Sequence, residues 1–144
     1  MAEGPKLQMP ARRRARKRAL DVLYEADIRS LPLEQVLTAY VARLEEPRPT
    51  HLPYAESLVR GVDAHRERID ELISSYAEGW RLERMPPVDR NLARIAIYEL
   101  LWVDDIDTPV AITEAVELAK QLSTDDSPRF LNGLLARIAE FARS

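Results

Sequence analysis

Apolar positions recur at three- and four-residue spacing along most of the chain, the period of an amphipathic helix. Ala15, Ala19, Val22, Leu23 and Ala26 form one such stripe and predict a helix from Ala11. Ser30-Leu31-Pro32 interrupts it, with Ser30 as a cap and Pro32 at a tolerated first-turn position. A second helix follows, and Pro47, Pro49 and Pro53 then mark a loop. One long third helix is predicted from Pro53, burying Leu58, Val59, Val62, Ile69, Leu72, Ile73 and Tyr76, with Gly61 marking close packing or a bend. Gly79 and Trp80 fall in a short connection, and Pro86-Pro87 opens the next element. From Val88 to Val103 nearly every face is apolar, so this helix belongs at the centre of the fold. Ile112, Ala115, Val116, Ala119 and Leu122 give a further stripe. Phe130, Leu131, Leu134, Leu135, Ile138 and Phe141 give the last, entered through Pro128 with Asp126 or Ser127 as cap. The pattern predicts an all-α protein of six to seven helices and no strand.

At 144 residues this is one domain: a flexible tail over 1–10, carrying Gly4, Pro5 and Pro10, and a helical body over 11–144. Cysteine is absent, which removes disulfides, thiolate metal sites and thiol nucleophiles. No apolar run approaches the ~18 residues of a membrane span, and no apolar signal core follows the basic N-terminus. A cytoplasmic protein is expected.

Charge changes the picture. The net value is −3, but residues 1–18 carry seven basic residues against Glu3 alone, a balance of +6, and the remainder stands at −9. The basic residues are 18 Arg and 3 Lys, and Arg presents a planar fork that pairs with phosphate. Arg12 to Arg18 occupy the first turns of a helix, where the macrodipole disfavours cations and free amides favour an anion. Folding gives no reason to gather cations there; a polyanionic partner does, a disordered basic tail or a solubility patch being the alternatives, and the run by itself does not separate RNA, DNA and membrane. By angular spacing, Arg12, Arg16 and Arg13 share one side, while Arg14, Lys17 and Arg18 spread further round. Tyr24 places a ring beside the patch, the pairing that takes up unstacked RNA bases, although core or rim packing explains a tyrosine there equally well. A membrane-surface helix fits less well, because the stripe lacks Trp or Phe anchors.

No catalytic constellation emerges. His51 and His65 read as surface or packing residues, and the glycine-loop motifs GxxxxGK[ST] and GxGxxG are absent. The pairs Asp104/Asp105 and Asp125/Asp126 fall in turns, where Asp caps helices. No enzyme, metal or cofactor is expected.

At this point the residues resemble a family. Ala11 to Arg16, leading to Ala19-Leu20 and Leu23-Tyr24, resembles the N-terminal helix of NusB antitermination proteins. Residues 88–100 are similar to that family's central helix, residues 111–120 continue it, and Asp125-Asp126-Ser127-Pro128-Arg129-Phe130-Leu131-Asn132-Gly133-Leu134-Leu135 resembles its closing signature. The resemblance implies two small packed helical bundles and no catalysis. It implies binding of boxA sequences in single-stranded nascent RNA, mainly ribosomal, together with NusE, a ribosomal small-subunit protein, alongside RNA polymerase and the other Nus factors. By position it implies RNA contact at Arg12, Arg13, Arg14, Arg16, Tyr24, Asp126 and Phe130, and a partner or RNA surface continuing over Glu83 and Asp89. The family holds both monomers and homodimers. The rival reading is a helical interaction scaffold or homodimer with little RNA role.

Overall fold

The structure, a computed structural model, describes residues 9–143. Seven α-helices and one short 3-10 turn make it up: α1 (Met9–Arg29), α2 (Leu33–Ala42), α3 (Leu52–Ala64), α4 (Arg66–Tyr76), the turn Leu82–Arg84, α5 (Pro87–Trp102), α6 (Thr108–Leu122) and α7 (Ser127–Arg143). No strand occurs among the described residues. The first eight residues of the expected tail lie outside those described; Met9 and Pro10 already belong to α1.

The helix expected at the centre is there. α5 packs against α1, α3, α4, α6 and α7. On one side α1, α2 and α3 pack on one another; on the other α6 packs on α7, and α7 on α4. The apolar stripe of α1 is buried as its spacing requires, with Ala15, Ala19, Val22, Leu23 and Ala26 all in the core.

Two local expectations are corrected. Ser30 does not cap α2: its φ is 53°, a left-handed residue closing α1, and the N-cap of α2 is Pro32 without a side-chain bond. The long third helix is two helices, α3 and α4, broken at His65. There the amide of His65 donates to the carbonyl of Gly61 at 3.1 Å, and the His65 ring stacks on Trp102 with centroids 3.9 Å apart. That stack fixes the break, although neither Gly nor Pro occupies it.

Gly61 itself marks close packing. A Cβ built on it would lie 2.1 Å from Cζ of Tyr98, whose ring stacks in turn with Trp102 and His65 and has little freedom to withdraw. Gly61→Ala is therefore expected to lower stability by about 1–3 kcal/mol, although alanine is the better helix former by about 1 kcal/mol. Urea denaturation checks this, and pairing it with Tyr98→Leu should cost less than the two singles summed.

Candidate nucleic-acid interface

α1 runs antiparallel to α5: Arg16 meets Glu99 near one end, and Asp27 meets Arg90 and Asn91 near the other. α6 lies along α5 on a different flank and brings Glu114 to the same end as Arg16. The basic N-terminal turns of α1 thus face carboxylates contributed by α5, α6 and the loop between them.

The arginines divide among these partners. Arg12 donates from Nη2 to Oδ2 of Asp105 at 2.7 Å, and its guanidinium carbon lies 4.7 Å from the centroid of Tyr54. Arg13 makes a two-point pair with Glu114, Nε to Oε1 at 2.9 Å and Nη2 to Oε2 at 2.7 Å, while its side chain stays about half exposed. That hydrogen bond is the main reason the Glu114 carboxyl sits below the usual range despite burial. Arg14 is exposed and makes no ion pair among the described residues. Lys17 pairs one turn on with Asp21 at 2.7 Å.

Arg16 departs from expectation. It is 1% exposed, so it is not on the surface with its neighbours. Its Nε donates to both oxygens of Glu99 at 2.9 and 3.1 Å, and Nη1 donates to Oε1 of Glu114 at 3.3 Å. Tyr54 donates its hydroxyl to the remaining face of Glu99, and burial first, then that carboxylate, drives the phenol's pKa upward. Arg16 is an internal tie between three helices. The side of α1 that does face solvent carries Arg13, Lys17 and Tyr24, at spacings of four and seven residues and within about 40° of one another, with Arg14 flanking them. Tyr24 is 40% exposed. The sequence reading sets Lys17 further round the helix than Arg13, whereas its four- and seven-residue spacing from Arg13 and Tyr24 puts it on their side.

His51 and His65 both pack, as their sequence reading holds. His51 is buried and accepts a hydrogen bond on Nε2 from Nε of Arg18 at 2.8 Å. Burial first, then the charges of Arg18 and Arg14, hold its pKa below the usual histidine value, so it is a neutral acceptor near pH 7.

The residues of the closing signature gather at the far end of α5. Asp89 is buried rather than surface-facing: it accepts from Oγ of Ser123 at 2.5 Å and from Oγ of Ser127 at 2.8 Å, locking the α6–α7 junction to the start of α5. Above it a pocket of ≈ 250 Å³ is lined by Trp80, Pro86, Asp89, Thr124, Asp126, Ser127 and Phe130. Asp126 is exposed, and its carbonyl accepts the amide of Phe130 at 3.1 Å in the first turn of α7. Phe130 is half-buried, its ring tilted against Trp80 with centroids 5.8 Å apart. Glu83 lies exposed on the 3-10 turn next to this pocket's Trp80. Glu99 and Asp89 are ten residues apart on α5, so the arginine end and this pocket are separated by about 15 Å along the axis.

Among the described residues no group of three His, Cys, Asp or Glu could hold a metal, and no helix is long and apolar enough to cross a membrane. The fold and this surface define an all-helical protein with a cationic stripe displayed on a carboxylate-braced helix. The chain belongs to the NusB family, whose profile matches residues 13–140; these are antitermination factors, not enzymes. It is 72% identical over 134 residues to the transcription antitermination protein NusB of Salinispora arenicola, covering 93% of this chain and 98% of that one. It is 53% identical over 130 residues to the NusB of Thermobifida fusca, covering 90% and 89%. Among solved structures it resembles T. maritima NusB, with TM-score 0.81, 39% identity and 93% of each chain covered. It also resembles a chain of a complex of antitermination factors NusB and NusE with double-stranded RNA, with TM-score 0.82, 26% identity, and 93% and 99% covered.

Proposed function

We propose that this protein binds boxA-bearing single-stranded RNA jointly with NusE, and thereby supports antitermination by RNA polymerase and the other Nus factors on nascent, mainly ribosomal, transcripts in the cytoplasm. The observation that carries the reading is the outward stripe of α1: Arg13, Arg14 and Lys17 with Tyr24 beyond them. Glu114 holds Arg13 by Nε and Nη2 and leaves Nη1 uncommitted, so the guanidinium is oriented while a donor edge stays open. Arg12 is engaged by Asp105 and Tyr54, so it reaches a phosphate only by exchanging that carboxylate. Arg16 does not touch the RNA and serves instead to set the phase of α1. The solved complex of NusB and NusE with double-stranded RNA, through its likeness to the chain, supports the pairing with NusE and with RNA, not the single-stranded boxA sequence.

Arginine–phosphate contacts supply affinity and little sequence information, so discrimination falls to rings and polar edges further along the surface. Fluorescence anisotropy of labelled boxA RNA against a scrambled RNA, with and without NusE and over a salt series, tests the proposal. Preferential boxA binding that tightens with NusE and weakens with salt is expected. The triple variant Arg13→Gln, Arg14→Gln, Lys17→Gln should stay helical and flatten the salt slope by about 0.7 for each phosphate it no longer neutralises. Equal or absent binding to both RNAs, even with NusE, overturns the reading.

A further inference from the structure

Arg12 occupies a seat that does not satisfy it. Its side chain is only 13% exposed and lies on the Tyr54 ring, the guanidinium carbon 4.7 Å from the centroid. Nη2 donates to Oδ2 of Asp105 at 2.7 Å, while Nε is buried with no acceptor among the described residues. A guanidinium carries five N–H donors, and a buried donor left unpaired costs folding energy. The carboxylate opposite Arg12 also differs from the others that brace α1. Glu99 and Glu114 project from α5 and α6, are buried, and share Arg16. Asp105 stands in the turn between those helices, is 39% exposed, and has Asp104 and Asp107 exposed on either side of it. Exposed ion pairs contribute little and exchange with water, whereas breaking a buried pair strands a charge.

We propose that Asp105 is an autoinhibitory latch: its carboxylate occupies the place of an RNA phosphate on Arg12, and RNA must displace it to engage that arginine. The proposal rests on the RNA-binding reading above and adds to it a competitor built into the turn between α5 and α6. A carboxylate and a phosphate both offer the guanidinium fork a pair of anionic oxygens, so one replaces the other without any change in α1. Two features favour displacement over a permanent brace. The seat leaves Nε of Arg12 unpaired, so the side chain gains a usable donor on leaving it. Asp105 lies on an exposed turn, where water takes over its hydrogen bond, whereas freeing Arg13 or Arg16 would strip a partner from the buried Glu114. A phosphate carries no sequence information, so the latch raises the threshold for every RNA alike. Weak encounters with unrelated transcripts are thereby suppressed, and a strand held by further contacts elsewhere on the protein opens it.

A double-mutant cycle read by anisotropy tests this, with labelled boxA and scrambled RNAs and with and without NusE. The four proteins are wild type, Asp105→Asn, Arg12→Gln and the double variant. Asp105→Asn should bind both RNAs about 1.5- to 5-fold more tightly, the fold-change equivalent of one exposed ion pair no longer competing. In the Arg12→Gln background the same substitution should give no such gain, because there is no arginine left to release. Asp104→Asn is the control: it removes the same charge one residue away and leaves the Arg12 pair in place, so its gain should be less than half that of Asp105→Asn. Circular dichroism should show unaltered helix content in every variant. Equal gains from Asp104→Asn and Asp105→Asn, or an undiminished gain in the Arg12→Gln background, would reveal a general charge effect and overturn the latch. Unchanged or weaker RNA binding in Asp105→Asn overturns it as well and makes Asp105 a brace for Arg12. These outcomes leave the RNA-binding reading standing. No RNA binding by any of the proteins, even with NusE, overturns both.

Discussion

Arg16→Ala is expected to lower the free energy of unfolding by about 3–5 kcal/mol, the cost of stripping one partner from a buried ion cluster. The guanidinium touches Glu99 and Glu114, and both carboxylates are as buried as it is. Without it, Glu99 keeps only the Tyr54 hydroxyl and Glu114 only Arg13. Two charges that α5 and α6 cannot move into water would then face each other across the core. Urea denaturation at neutral pH measures the loss. A variant carrying Arg16→Met together with Glu99→Leu should recover part of it, because apolar groups of similar volume replace the charges. Arg16→Ala that stays within about 1 kcal/mol of wild type while RNA affinity collapses would return Arg16 to the RNA surface. The same cluster has a functional consequence: it sets the rotation of α1 and so decides that Arg13, Lys17 and Tyr24 point outward.

Much of this was legible in the sequence, and the failures are physical. The stripes of α1, α5, α6 and α7 could be read because each is a local pattern, repeated every three or four residues. The rotation of α1 was legible in part. Arg16 lies seven residues before Leu23, about 20° away round the helix and inside the apolar stripe, so its burial was implied by the pattern that places Ala19 and Leu23. The rule that arginine is exposed outweighs that signal, and it fails here because carboxylates 83 and 98 residues away converge on the same point. No local pattern announces such a meeting. The break at His65 was hidden for the same reason, since the Trp102 ring that defines it arrives from α5. Asp89 reads as a polar first-turn residue, yet the serines of the α6–α7 junction cover it. The pocket at Trp80 joins α7, the start of α5 and the turn before it, so its ring and its rim are not neighbours in sequence.

Asp27→Ala is the second large effect, at about 3 kcal/mol, because three donors converge on one carboxylate. Asp27 accepts from Arg90 through Nε at 2.6 Å and Nη2 at 2.9 Å, from Nδ2 of Asn91 at 2.9 Å and from Nη1 of Arg94 at 3.3 Å. Arg94 also holds Asp70, which accepts from Arg66 on the same helix, so the network ties α1 and α4 to α5. Burial works to raise the Asp27 pKa, but the hydrogen bonds from Arg90 and Asn91 prevail and hold it below the ordinary aspartate range. The sign follows. The unfolded chain binds a proton at Asp27 at higher pH than the folded protein does, so the contribution is complete above the unfolded pKa, near 3.9, and fades as pH falls through the folded value. The gap between wild type and Asp27→Ala should therefore be full at pH 7 and shrink below about pH 4, a comparison that urea titrations at the two pH values make directly. A gap that does not change with pH would mean the carboxylate is not what holds the three helices. Arg16 and Asp27 stand eleven residues apart on α1, one pinning each end of the helix against α5. With both in place the cationic stripe cannot rotate or slide. That rigidity keeps Arg13, Lys17 and Tyr24 in fixed register along the outer side of α1.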